Sequence, residues 1–249
     1  MSKPNILVIQ ADQLTALCLQ AYGTPYALTP HMDRIAARGT TYLNSYCNSP
    51  VCGPSRASMM TGRLPSNVGV YDNAGEFLSS EPTYAHYLRT LGYQTSLVGK
   101  MHFVGPDQLH GFERRLTTDI YPSDFSWTAD WSQYEEEYAP SRMSLLSVVE
   151  AGTCERSLQV DYDDHVFNMA KQELFDIARS DDERPFFLHA SFTHPHNPFV
   201  TTQDFWDLYD HESIAMPRVD FIPYEERDPW SQRYYLSLIH ISEPTRQAT

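Results

Sequence analysis

Residues 52–63 read Cys-Gly-Pro-Ser-Arg-Ala-Ser-Met-Met-Thr-Gly-Arg. Pro54 fixes its own φ and lacks an N–H, which suits the first turn of a helix, and Gly62 is a suitable helix end. The stretch therefore predicts a short helix with Cys52 at its N-terminus, where free N–H groups and the helix dipole favour an anion. Arg56 lies one turn along this helix and can point back to the same place. Taken alone, Cys52 could equally be a small buried hydrophobe or a turn residue.

Apolar runs and helical patterns alternate on both sides of this helix. Residues 5–10 and 186–192 are apolar runs typical of strands buried on both faces of a parallel sheet. Two further segments, 40–47 and 93–98, also read as strands. Helices are predicted over 29–38, 83–91 and 161–179. Strands that alternate with helices indicate an α/β fold, with a central, mostly parallel sheet flanked by helices.

Composition and charge narrow the classes of function. The chain has 249 residues, of which 41% are hydrophobic, and it can bury a sizeable core. A net charge of −14 argues against nucleic acid and anionic membranes as partners, so an anionic substrate needs a local cluster of positive groups. No apolar run is long enough to span a membrane. The sequence begins without a signal peptide, and its four cysteines form neither a disulfide framework nor a zinc motif, which predicts a cytoplasmic protein.

Polar residues follow three of the predicted strands, where ligands of open α/β sheets bind. Asp12 follows the first strand and is a suitable hard-oxygen ligand for a divalent cation, although a helix cap or a turn would explain it as well. Lys100 and His102 follow the strand at 93–98 and converge if the chain bends there, whereas at an ordinary surface they would have no such role.

His194 and His196 follow the strand at 186–192. A histidine suits proton transfer to a leaving group because its pKa lies near the working pH. His196 is therefore a candidate general acid, and His194 either binds substrate or orients the loop. A zinc pair is disfavoured because no further His or Cys stands at zinc-like spacing.

The stretch at 52–63 resembles the signature of the type I sulfatases, in which the cysteine is oxidised to formylglycine after translation. The seven matching positions are Cys52, Pro54, Ser55, Arg56, Thr61, Gly62 and Arg63. Gly99-Lys100-Met101-His102 resembles the family's Gly-Lys-x-His element, and residues 195–198 resemble its Pro-His-x-Pro element. The resemblance covers about residues 3–236 and implies an alkaline-phosphatase-like fold and the hydrolysis of a sulfate ester.

The resemblance also implies a role for each of these residues. Asp12, Gln13 and residue 52 would hold a divalent cation, with Ca²⁺ preferred to Mn²⁺ and Mg²⁺. The hydrated aldehyde at residue 52 would attack sulfur and later expel sulfate, after installation by a formylglycine-generating enzyme. The sulfate would be neutralised and positioned by the remaining set: Arg56, Lys100, His102 and His196.

Within the family the sequence is most similar to the choline sulfatases. The similarity lies in residues 118–125 and 161–164, and Trp127 is a candidate cation–π wall for a choline group. Trp127 could instead be an ordinary core or loop anchor. Residues 138–154 depart from the choline sulfatase pattern. The Asp12-Gln13 pair also resembles that of the phosphonate monoester hydrolases, so hydrolysis of a phosphonate monoester or phosphodiester is the alternative activity.

The end of the chain suggests a fragment. We predict a catalytic domain over 1–236 and a non-native tail over 237–249, which looks like translated sequencing-adaptor sequence. Members of the family are longer, and they complete the metal site with an acidic residue, an Asn or His and a second Lys from later elements. An inactive truncated fragment is therefore a third hypothesis, and a homo-oligomer is left open.

Overall fold

A computed structural model describes residues 3–121, 146–215, 219–229 and 231–232. The chain divides into two compact units. The first contains Met1–Ala16, Ala36–Thr128 and Arg156–His196, and the second contains Leu17–Ile35, Ala129–Glu155 and Asn197–Thr249. The domain bounds expected from the sequence stay a prediction, and the tail at 237–249 lies outside the described residues.

The helices and strands follow one another in this order: β1 (Ile6–Gln10), α1 (Pro30–Ala36), α2 (Cys52–Thr61), α3 (Pro65–Val68), α4 (Tyr84–Thr90), β2 (Gln94–Gly99), β3 (Arg114–Arg115), α5 (Leu146–Val149), β4 (Gly152–Thr153), α6 (Leu158–Arg179), β5 (Phe186–Ser191), β6 (Val200–Thr201) and α7 (Gln203–Trp206). Short 3-10 turns cover Ala16–Cys18, Gln20–Tyr22, His211–Ser213 and Tyr224–Glu226.

The first unit is built on a four-stranded sheet in the order β1-β5-β2-β3, with every pair parallel. The register sets Gln10 opposite Ser191 and Ser191 opposite Gly99. The carboxyl ends of β1, β5 and β2 therefore stand side by side. This arrangement confirms the predicted α/β class.

Helices cover both faces of this sheet. Because side chains alternate along a strand, Leu97 and Phe187 enter one core with Met60 of α2 and Ala85 of α4. Their neighbours in sequence point the other way: Val98 and Leu188 pack with Val166 of α6. The helices themselves follow the predicted signals. Gly62 ends α2 with φ at 68°, and the Ser157 side chain accepts a hydrogen bond from Val160 N at the start of α6.

Two predictions about strands were wrong. Residues 40–47, all within the described part of the chain, form no strand, and Tyr42, Leu43 and Tyr46 are exposed. Their β-branched and aromatic residues favour a strand, but this segment pairs with no strand of the described sheets. The run at 5–10 does form β1, but Leu7 and Ile9 are 46% and 61% exposed. Ile6 and Val8, on the other face of β1, pack against the core, so only one face of this strand is covered.

The second unit contains β4 and β6, which pair in parallel with Gly152 opposite Val200. The short helix α7 follows β6 directly. Across the residues that the structure describes, no helix combines the length and apolar character needed to cross a bilayer.

Candidate active site

Cys52 is the first residue of α2, as the sequence predicted. The peptide N–H of Gly53 donates to the Asn73 side-chain oxygen at 2.8 Å, which fixes the start of the helix. The half-buried thiol Sγ lies 4.0 Å from Asp12 Oδ2 and 3.9 Å from Lys100 Nζ. The helix N-terminus and the strand ends thus meet at residue 52.

Asp12 lies two residues beyond β1 and is buried. Its Oδ2 is 2.5 Å from Lys100 Nζ, and its Oδ1 is 3.3 Å from Arg56 Nη2. Burial by itself raises the pKa of this carboxyl, but the charges of Arg56 and Lys100 outweigh burial, and the net pKa is below its ordinary value. Asp12 is therefore an anion held between two cations.

Arg56 braces the strand ends from inside the protein. Its Nη1 donates to the Lys100 carbonyl oxygen at 2.6 Å and to Ser191 Oγ at 3.0 Å, and the residue is 3% exposed. Nη2 is near enough to Asp12 for an ion pair but is not aligned for a hydrogen bond. Arg56 does point back to the residue-52 site, but these contacts are with the protein, and its contact with sulfate stays a prediction.

The chain bends after β2, and the convergence of Lys100 and His102 on sulfate stays a prediction. Gly99 has φ at 100°, and a Cβ there would lie 1.9 Å from the Ser191 carbonyl oxygen, so only glycine fits. His102 itself is left-handed, with φ at 59°. His102 Nε2 donates to the Asn73 carbonyl oxygen at 2.9 Å, and burial lowers the pKa of this imidazole. His102 is therefore a neutral ring with its proton on Nε2.

The two histidines after β5 have different surroundings. One ring nitrogen of His196 belongs to a cluster with Asp12 and Cys52 in which the three ligand atoms lie within 4.8 Å of one another. His194 instead donates from Nδ1 to Asp163 Oδ2 at 2.7 Å. The structure thus places His196 in the residue-52 cluster and gives His194 a partner on α6, while a role of His194 in binding substrate stays a prediction.

A divalent cation fits the described residues in part. A hard cation such as Ca²⁺ takes roughly 6–8 oxygen ligands. Within the cluster found among the described residues, the only carboxylate is Asp12, which already faces Arg56 and Lys100. Gln13 adjoins it, exposed and left-handed with φ at 63°. The donor set therefore suits one side of a cation site. Trp127 lies outside the described residues.

Sequence reasoning missed several residues that shape this site. Asn73 touches both Gly53 and His102, and Asp119 and Asp163 accept hydrogen bonds from the segments after β2 and β5. The only sequence signal was the similarity of 118–125 and 161–164 to choline sulfatases, which marked the segments but not the contacts.

A sequence model of the Sulfatase family matches residues 4–219. The chain belongs to the Sulfatase family. It is 50% identical to a choline-sulfatase of Rhizobium meliloti over 94% of this chain and 46% of that protein. It is 29% identical to an arylsulfatase of Clostridium perfringens, over 86% of this chain and 48% of the relative. The chain thus spans about half the length of the curated relatives it matches.

Solved structures agree on the fold. A phosphonate monoester hydrolase of Agrobacterium radiobacter superposes with a TM-score of 0.60 at 22% identity, over 84% of this chain and 44% of that one. At this identity the likeness concerns the fold alone. The fold is the alkaline-phosphatase-like fold of the sulfatases, as the sequence predicted.

Proposed function

We propose that this chain carries the nucleophile and the anion-binding groups of a sulfate monoester hydrolase. The observation that carries the proposal is the meeting of Cys52, Lys100 and Asp12 at the carboxyl ends of parallel strands, in a chain of the Sulfatase family. The helix N-terminus and the Lys100 ammonium concentrate positive potential in a protein whose net charge is −14. A sulfate monoester would be attracted to this place.

The nucleophile in this proposal is formylglycine, made from Cys52 by a formylglycine-generating enzyme. At residue 52 it would supply an oxygen nucleophile in place of the thiol. Lys100 stabilises the negative charge that develops on the sulfate oxygens, since its Nζ already lies 3.9 Å from the side chain of residue 52. His196, from the same cluster, delivers a proton to the leaving alcohol.

Asp12, Gln13 and residue 52 would hold the divalent cation, with Ca²⁺ preferred. The cation would supply Lewis-acid polarisation of the sulfate. Asp12 is ready for this role because its pKa is lowered and it stays ionised. Lys100 and Arg56 hold the two carboxylate oxygens of Asp12 in place.

Choline sulfate is the proposed substrate. The support is the 50% identity to the choline-sulfatase of Rhizobium meliloti. The proposal includes Trp127 as a wall of the choline pocket, on sequence grounds. A cytoplasmic location is favoured by the four cysteines, none of which forms a disulfide.

Turnover by the chain, produced together with a formylglycine-generating enzyme, tests the proposal. Choline sulfate, an aryl sulfate and an aryl phosphonate ester are compared, with the Rhizobium meliloti choline-sulfatase as positive control. We expect sulfate esters to be hydrolysed and choline sulfate to be preferred. Cys52→Ala should abolish turnover, whereas Cys154→Ala, at another half-buried cysteine, should retain it.

Two results would contradict the proposal. Faster turnover of the phosphonate would favour the phosphonate hydrolase alternative. No turnover of any ester by a chain whose residue 52 is converted would favour the inactive fragment.

A further inference from the structure

Asp119 binds the segment that follows β2. Its Oδ1 accepts from Met101 N at 2.7 Å, and its Oδ2 accepts from His102 N at 3.1 Å. Arg115 Nη2 balances the charge at 2.7 Å from Oδ2, and the two side chains are 7% and 9% exposed. One carboxylate therefore holds two successive peptide N–H groups at the left-handed turn of His102.

Asp163 does the same for the segment that follows β5. Its Oδ1 accepts from Thr193 N at 2.7 Å and from Thr193 Oγ1 at 2.9 Å. Its Oδ2 accepts from His194 N at 2.9 Å and from His194 Nδ1 at 2.7 Å. Burial by itself raises the pKa of this carboxyl, but the hydrogen bonds from His194 and Thr193 outweigh burial. The net pKa is below its ordinary value, so Asp163 stays ionised.

The two carboxylates occupy equivalent places on neighbouring strands. Gly99 is paired with Ser191 at the end of the β2–β5 ladder. Met101 and His102 lie two and three residues beyond Gly99, and Thr193 and His194 lie two and three beyond Ser191. Each carboxylate thus accepts hydrogen bonds from the N–H groups two and three residues beyond the end of its strand, and the two strands are adjacent and parallel.

A hydrogen bond joins the two supports. Tyr162, next to Asp163 on α6, donates its hydroxyl to the Thr118 carbonyl oxygen at 2.6 Å, and Thr118 precedes Asp119. Burial raises the pKa of Tyr162 to about 12, so the hydroxyl keeps its proton for this bond. A displacement of one carboxylate can therefore be transmitted to the other through Tyr162 and Thr118, which are their neighbours in sequence.

We propose that Asp119 and Asp163 are a matched pair of positioning residues, which hold the segments carrying Lys100, His102 and His196 in register around residue 52. The proposal rests on the proposed function, because it concerns the same sulfate site. In this proposal neither carboxylate contacts the substrate. Each one holds backbone that would otherwise be free to turn, and a left-handed histidine such as His102 persists only where the surroundings enforce it.

The test uses Asp119→Asn and Asp163→Asn in the 249-residue chain, with Asp164→Asn as matched control. Asp164 neighbours Asp163 but is exposed and pairs with Arg156 at the surface. Ring ¹⁵N shifts report the tautomers of His102 and His194, and inorganic sulfate is the titrated probe. In the parent chain we expect the proton on Nε2 of His102 and on Nδ1 of His194.

Asp119→Asn should disturb the His102 tautomer through the backbone N–H groups that donate to Asp119, and Asp163→Asn should disturb that of His194, whose Nδ1 donates to Asp163. Each should weaken sulfate binding roughly 10- to 100-fold, the usual cost of losing an outer support. Asp164→Asn should change neither reading. Unchanged His102 tautomer and sulfate affinity in a folded Asp119→Asn chain would overturn the proposal.

Two further arms keep the outcomes separate. If an Asn variant fails to fold, Asp119→Glu and Asp163→Glu keep the charge and displace the carboxylate, and the same changes in the ring signals are expected. If the parent chain does not bind sulfate, the proposed function fails, and the ring signals of the variants alone decide whether the carboxylates position the histidines.

Discussion

Arg56→Met would remove the buried guanidinium that connects three strand ends. The Asp12 carboxylate would keep Lys100 but lose its ion pair to Nη2. The Lys100 carbonyl oxygen and Ser191 Oγ would lose the donor at 2.6 and 3.0 Å. Methionine matches much of the arginine stem, so the change isolates the charge and its hydrogen bonds from the packing.

The loss can be scaled from the geometry. The two hydrogen bonds that the guanidinium donates are charge-assisted, and their loss costs about 1.5–3 kcal/mol each, or about 3–6 kcal/mol together. For a chain of this size that corresponds to a fall of roughly 6–24 °C in Tm. Arg63, at the end of the same motif, is the natural control: its side chain is 44% exposed and it pairs with Glu81 at the surface. Arg63→Met should cost only about 0–1 kcal/mol.

Urea unfolding of the two variants and the parent, followed by circular dichroism, measures both losses. We expect a lower midpoint for Arg56→Met with an unchanged slope, since a change in slope would indicate a different unfolded or native state. Equal losses for Arg56→Met and Arg63→Met would refute the reasoning, because burial would then make no difference to the value of the charge.

The remaining predictions concern backbone, pH and metal. Gly99→Ala should cost about 3 kcal/mol or more in urea unfolding, because its Cβ would meet the Ser191 carbonyl oxygen; Gly23→Ala, with no heavy atom within 4 Å, is the control, and an equal loss would contradict the clash. Burial lowers the pKa of His189 from 6.5 to about 3. Below pH 6.5 this imidazole is therefore protonated in the unfolded chain but stays neutral in the folded chain. The unfolding free energy should therefore fall by up to about 5 kcal/mol as pH drops from 6.5 towards 3, and a slope unchanged in His189→Gln would contradict this source. Added Ca²⁺ should raise the Tm of the parent chain and not that of Asp12→Asn, and a rise in both would place the cation elsewhere.

Local rules and one rule of topology account for what the sequence could predict. Pro54 and Gly62 set the limits of α2 through fixed φ and left-handed backbone, and both rules act within a few residues. Ligands gather at the carboxyl ends of parallel strands, and this rule predicted that Asp12, Lys100 and His196 lie close together. The structure places Asp12 near both of the others.

What the sequence could not predict depends on contacts distant in the chain. Asp119 and Asp163 bind backbone 17 and 31 residues away, and such bonds leave no periodic signal. Residues 40–47 have the composition of a strand, but pairing decides whether a strand forms. The apolar run at 5–10 does not reveal that one face of β1 is exposed, since a face is covered by elements distant in the chain. The contacts of buried Arg56 with the Lys100 carbonyl oxygen and with Ser191 are also ones that spacing alone does not reveal.

Mass spectrometry of the peptide that contains Cys52 tests the central claim most directly. The chain is produced in a host that supplies a formylglycine-generating enzyme, with the Rhizobium meliloti choline-sulfatase expressed beside it as a control. We expect residue 52 to be recovered as formylglycine, with the thiol sulfur replaced by a carbonyl oxygen. An intact thiol at residue 52, in cells that convert the control, would contradict the account.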